Sequence, residues 1–203
     1  MTRYAISWAC VALAAAGLLV AGCGGDGDDS APQRRETAQP LPKLPPGWRH
    51  YVNHRAGFAI GVPRGWKTSL VMTSTLLRSP DHLVAVSISA DRTEEALSTP
   101  LRRYAVETVN ALDELRPNGE PPLYEDVKTR HPHKFGGRYE AEAVPARGRA
   151  TKGGLPQRLL LVALRRDHLV TYPVLVAANA RRASPFRGQV PRMLRTLRGQ
   201  PPT

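Results

Sequence analysis

Arg158-Leu159-Leu160-Leu161-Val162-Ala163-Leu164-Arg165 is followed, after Arg166-Asp167, by His168-Leu169-Val170-Thr171-Tyr172-Pro173-Val174-Leu175-Val176-Ala177. Apart from the N-terminus, these are the most apolar runs in the chain. Each is short and rich in Leu and Val and reads as a strand. Arg166-Asp167 would join them as a pair of central strands. Pro173 cannot donate to a ladder, so it is expected at an edge, a bulge or a strand end.

The segments on either side supply the rest of a sheet and two helices. Trp48–Val52 and Phe58–Val62 read as strands around a turn at His54–Gly57, and Pro63-Arg64-Gly65-Trp66 turns the chain again. Leu70–Arg78 and His82–Ala90 follow as two strands separated by Ser79-Pro80-Asp81, with Val84, Val86 and Ile88 on one face. A helix is expected with Thr99 as cap and Pro100 in its first turn. Its apolar stripe is Leu101, Tyr104, Ala105, Val109, Leu112 and Leu115, and Pro117-Asn118-Gly119 ends it. Leu123–Thr129 and Arg138–Val144 read as strands, and Ala146–Pro156 as a loop rich in Gly and Arg. The closing helix takes Ser184 as cap and Pro185 at its first position, with Phe186, Val190, Met193, Leu194 and Leu197 as its stripe. Pro191 within that stripe also allows a start near Gln189.

The N-terminus reads as an address. Arg3 is the single charge before Asp26, and Tyr4–Cys23 is almost wholly apolar, ending in Leu19-Val20-Ala21-Gly22-Cys23. An early positive charge, an apolar run and small residues at a cut site make a secretory signal. The competing reading is an uncleaved transmembrane helix, since the run approaches the roughly 20 residues needed to span a bilayer. No cationic stop follows it, however, and Ala21-Gly22 suits processing better than a helix end. The pentapeptide resembles the lipobox of bacterial lipoproteins. That resemblance implies cleavage between Gly22 and Cys23 and a diacylglyceryl thioether on Cys23, so that two acyl chains hold the protein stably at the membrane. Residues 1–22 are then the signal peptide, 23–46 a Gly/Asp/Pro-rich flexible tether, and 47–203 the folded domain. Cys10 leaves with the signal, so the mature chain keeps no free thiol and no disulfide.

The formal net charge is +12, and arginine supplies 24 of the 29 basic residues. A basic chain can meet nucleic acid, anionic lipid or an anionic wall polymer, or simply carry a solvated surface. The export signal argues against nucleic acid. Arg181, Arg182, Arg187, Arg192, Arg195 and Arg198 concentrate charge near the C-terminus and are the expected contacts with an anionic surface. Arg195 and Arg198 could equally serve the negative end of the last helix. His131 and His133 are two apart but lack a close acidic or cysteine ligand, and they read as a surface loop; His50 and His54 lie on no evident helix. The acid pairs Glu94-Glu95, Asp113-Glu114 and Glu125-Asp126 read as solvated faces rather than as a glycosidase pair. No Gly-x-Ser-x-Gly elbow and no phosphate-cradling glycine loop occurs. No cofactor, metal or catalytic residue is expected.

Gly57-Phe58, Val62-Pro63-Arg64-Gly65-Trp66, and Phe186 with Met193-Leu194-Leu197 carry a further resemblance. In this order they are similar to the Mog1/PsbP-like domains found in many actinobacterial lipoproteins, and the arginine bias fits a GC-rich genome of that kind. The resemblance implies an α+β fold, a three-layer α/β/α sandwich around a mainly antiparallel sheet. It also implies a non-catalytic binding or assembly accessory, lipid-anchored on the extracytoplasmic face of the cell membrane, whose partner is an envelope protein or another envelope component. No residue role transfers with it. A carrier of a small apolar or lipid ligand, held in a cleft between sheet and helix, and an envelope hydrolase stay open as alternatives.

Overall fold

The computed structural model describes residues 38–71, 73–114, 121–136, 139–150, 154–167, 169–183 and 188–201. The expected signal peptide, Cys23, the earlier part of the tether, the helix stop at Pro117-Asn118-Gly119, and Ser184–Arg187 lie outside the described residues.

The two apolar runs form β9 (Pro156–Arg166) and β10 (Val170–Asn179), paired antiparallel in unbroken register from Arg166↔Val170 to Gln157↔Asn179. Around them the chain adds β3 (Lys67–Val71), β4 (Ser74–Arg78), β5 (Val84–Ile88), β6 (Tyr124–Thr129), β7 (His133–Lys134) and β8 (Glu140–Ala150). The resulting sheet has the order β3-β4-β5-β10-β9-β8-β6, with β7 on β8, and every pairing in it is antiparallel. A smaller sheet, β1-β2-β11, is built from β1 (Trp48–Asn53), β2 (Phe58–Pro63) and β11 (Arg198–Gly199). The helices are α1 (Glu94–Ser98), α2 (Leu101–Asn110) and α3 (Gln189–Arg195). The described chain is therefore mainly antiparallel β, with few helices.

Alternation along β9 and β10 divides the interior into two cores. Leu160, Val162, Leu164, Tyr172, Val174 and Val176 pack with Phe58, Ile60 and Val62 of β2 and with Val190, Met193 and Leu194 of α3. On the opposite face, Leu159, Leu161, Ala163, Leu175 and Ala177 pack with Leu101, Ala105 and Val109 of α2 and with Leu112 just after it. Two apolar faces explain why these strands read as continuous apolar runs, for neither face meets water.

Several expectations change in the fold. Leu70–Arg78 is a hairpin rather than one strand: β3 and β4 pair from Lys67↔Arg78 to Val71↔Ser74. No Gly or Asn stands in the sequence between Val71 and Ser74 to announce the reversal. Ala146–Ala150 is strand rather than loop, because Gly148 lies against the neighbouring backbone. A Cβ there would stand 3.3 Å from the Glu125 carbonyl oxygen, so glycine serves a close approach and not a turn. Thr99 does not cap α2; it ends α1, donating its N–H to the Glu95 carbonyl, and α2 begins after Pro100 without a side-chain cap. The working cap is Thr93, whose Oγ1 accepts from the Ala96 N–H at 3.2 Å. Pro173 sits in the middle of a central strand, opposite Ala163. Its missing N–H falls where β5 has ended: Ser89 still donates to the Pro173 carbonyl at 3.3 Å, and pairing resumes as an Asp91–Thr171 bridge. The strand end that proline requires belongs to its neighbour.

Residues 38–46, assigned by composition to the tether, run against the domain. Gln39 donates its N–H to the Gly199 carbonyl at 3.1 Å, and the Gln200 side chain donates to the Gln39 carbonyl at 2.9 Å. The Tyr139 hydroxyl donates to the Gln39 side-chain carbonyl and accepts from the Gly199 N–H at 2.9 Å. The N-terminal segment and β11 are thus clasped together beside the start of β8.

Candidate anion-binding groove

The far end of β8 presents the other notable chemistry. Lys128 of β6 stands opposite Arg147 of β8, and Arg147 stands opposite Arg158 of β9. Residues in direct register share a face, and adjacent strands are about 4.8 Å apart, so three cations form one row across three strands. Ala178 of β10, opposite Arg158, ends the row with a small side chain. The row lies on the face that carries the β2/α3 core, one same-face position beyond Leu160 and Val176.

Local irregularity shapes a concavity here. The β6–β8 register shifts between Glu125 and Lys128, and Asp126, at φ 54°, occupies the left-handed region. The extra residue bows β6 outward against Gly148. A cavity of about 340 Å³ lies here, lined by Asp126, Lys128, Arg147, Gly148, Arg149, Pro156, Gln157, Arg158 and Ala180. That volume lies within the range of small-ligand sites, although the lining is charged rather than apolar.

Counter-charge lies beside the row rather than within it: Glu125 stands opposite Arg149, and Asp126 lines the cavity. Arg149 Nε lies 3.8 Å from Asp126 Oδ2, with both side chains largely exposed, which makes a weak pair. Lys128, Arg147 and Arg158 make no ion pair and no side-chain hydrogen bond among the described residues. Like charges directly opposite on a sheet destabilise it by a few tenths to about 1 kcal/mol per pair. The row therefore costs stability unless an anion occupies it.

The arginines singled out in the sequence do not form one patch. Arg181 and Arg182 are exposed in the turn after β10, directly following Ala180 at the groove. Arg192 and Arg195 are exposed on α3, and Arg187 lies outside the described residues. Arg198 is committed to the helix end: its Nη1 donates to the Arg195 carbonyl at 3.0 Å and to the Leu197 carbonyl at 2.6 Å. His50, His54, His131 and His133 are exposed. Among the described residues no group of three or more His, Cys, Asp or Glu side chains could hold a metal ion, and no helix is long and apolar enough to cross a membrane. Glu94-Glu95, Asp113-Glu114 and Glu125-Asp126 are all exposed.

Lys128, Arg147, Arg149 and Arg158 were missed as a group. Alternate basic residues at 147 and 149 were the available signal, but a loop assignment removes their common face. Only the pairing register brings residues 128, 147 and 158 side by side.

No family model matches the chain, and no curated protein matches it in sequence. Among solved structures, a Bacteroides thetaiotaomicron protein is similar over 76% of this chain, at 12% identity and a TM-score of 0.51. The chain spans about half that protein's length, 49%. A Pseudomonas aeruginosa protein of unknown function, PA94, is similar over 66% of this chain and 83% of its own length, at 13% identity and a TM-score of 0.34. At such identity the likeness to the Bacteroides protein concerns the fold alone.

Proposed function

We propose that this chain is a lipid-anchored, extracytoplasmic accessory of the bacterial cell envelope that binds and does not catalyse. Its domain would belong with the Mog1/PsbP-like α/β/α sandwiches. Cys23 carries the diacylglyceryl anchor, and the groove at Lys128, Arg147 and Arg158 meets an anionic envelope component or an acidic surface of an envelope protein. The observation that carries the binding reading is the uncompensated cationic row in a concave site, because a fold keeps such repulsion most readily where a ligand relieves it. The placement of helices against both faces of the sheet supports the sandwich. The charged lining favours an anionic ligand over the apolar cargo of a carrier.

The test is crosslinking in the native cells followed by mass spectrometry, comparing the wild type with Cys23→Ala and with Arg147→Ala/Arg158→Ala. A partner that depends on both the anchor and the two arginines is expected. Capture that is indifferent to the arginines would remove the groove from the reading.

A further inference from the structure

From the groove's composition and its position relative to the N-terminal clasp, we infer that it is a phosphate-binding site. Its ligand stands away from the membrane, on a soluble or wall-borne molecule rather than on a lipid headgroup. This deepens the proposed binding function and rests on it.

The charge and size of the groove set the class of ligand. Three cations that are unpaired among the described residues stand in a row, with Arg149 as the next same-face neighbour on β8, and line about 340 Å³ against the single carboxylate of Asp126. A monocarboxylate would neutralise one of them, whereas a phosphate or diphosphate carries two or more charges and matches the fork of each guanidinium. Pro156 and Ala180 contribute short side chains to the lining, so the long basic side chains have room to close over a compact anion.

Position along the sheet sets the source. Gln39 is fixed beside Tyr139 and Gly199 at the start of β8. Arg147 lies eight residues further along, which is about 27 Å of extended strand. Cys23 and Gln39 are separated by 16 residues in sequence. The clasp therefore ties the anchor to one end of the domain while the groove opens at the other. A headgroup in the anchoring bilayer would require the domain to turn the end opposite its N-terminal clasp toward the membrane.

The experiment uses the full chain in zwitterionic phosphatidylcholine vesicles, titrated with inorganic pyrophosphate by calorimetry. Saturable binding is expected, weakened about 100-fold by Arg147→Ala/Arg158→Ala, since each charged hydrogen-bonding partner is worth roughly a factor of ten. Arg192→Ala/Arg195→Ala, on α3, should leave it unchanged. An amide-proton spectrum matching the wild type shows that each variant is folded. Absence of binding, or equal weakening by both double variants, overturns the site. The same titration in phosphatidylglycerol vesicles separates the sources. Pyrophosphate affinity should hold there at matched ionic strength; competition by the vesicle that vanishes in Arg147→Ala/Arg158→Ala would give the groove to lipid and overturn the inference. If arginine-dependent capture in cells survives while pyrophosphate fails to bind, the binding function stands and only the phosphate assignment falls.

Discussion

The two ends of β9 carry the same residue type in opposite circumstances. At one end, Arg165 is buried, and its Nη2 donates to the carbonyls of Ala96 and Thr99, each at 2.7 Å, closing the end of α1. Its neighbour Thr171 donates to the same Ala96 carbonyl at 3.0 Å. Asp91, bridged to Thr171, accepts from the Tyr104 hydroxyl at 3.0 Å and from the Thr93 hydroxyl at 2.7 Å. At the other end, Arg158 stands beside Arg147 and Lys128 with no ion-pair or hydrogen-bond partner among the described residues. The arginine count is thus a poor guide to function. What a guanidinium is bonded to separates a cation that closes the fold from one held ready for a ligand.

Breaking the closed end should have the largest effect. Arg165→Ala leaves the Thr99 carbonyl without its donor and the Ala96 carbonyl with Thr171 alone, and is expected to cost about 3 kcal/mol, read as a lowered urea midpoint. A cost below about 1 kcal/mol would mean that the two ends are less different than their bonding suggests.

The same end should be sensitive to alkali. Burial, and then the neighbouring Asp91 carboxylate, pushes the Tyr104 hydroxyl well above its ordinary range, and burial does the same for Tyr124, opposite Ala150 at the groove end of the sheet. Both groups favour the folded state while protonated. Their contribution is therefore intact below the unfolded tyrosine value near 10 and is lost as pH rises through the raised folded values. A melting temperature that falls above about pH 10, and falls less steeply in Tyr104→Phe, is the expected result.

A smaller loss should follow at the clasp. Tyr139→Phe removes the hydroxyl between Gln39 and Gly199 and should cost about 1 kcal/mol, with faster proteolysis near Gln39 as the sharper readout. Unchanged proteolysis would separate the N-terminal segment from the closed end and weaken the argument that it orients the groove.

The smallest effect should have the opposite sign. Arg147→Thr relieves two directly opposed like-charge contacts, so it should stabilise the protein by about 0.5 kcal/mol at low salt. The gain should shrink as salt screens the row. Destabilisation instead would show that Arg147 is already compensated, erasing the contrast between the ends.

Much of the fold is legible locally. Leu159–Leu164 and Val170–Ala177 are apolar on both faces, and the stripe Leu101, Ala105, Val109 and Leu112 marks a helix with one side against the sheet. Pro191 in the last stripe pointed to a start near Gln189, where α3 begins. The errors lie where one residue type serves two ends. Gly148 reads as a turn residue but accommodates a neighbouring backbone, and Thr99 reads as a helix start but ends α1. Short β11 escapes notice because two residues carry no periodicity, and its pairing with β2 is settled by a partner about 140 positions away in sequence.

The sequence by itself determined the two central strands, the two-sided burial and the helix stripe, since side-chain periodicity is a local property of the chain. It also determined the excess of arginine, but not its distribution of roles. Only the tertiary structure decided that Arg165 and Arg198 are occupied with helix carbonyls while Lys128, Arg147 and Arg158 line up without a partner among the described residues. The physical reason is that a cation's role depends on what lies within about 4 Å of it. For residues 128, 147 and 158, that neighbourhood is made by strand register, which no stretch of sequence contains alone.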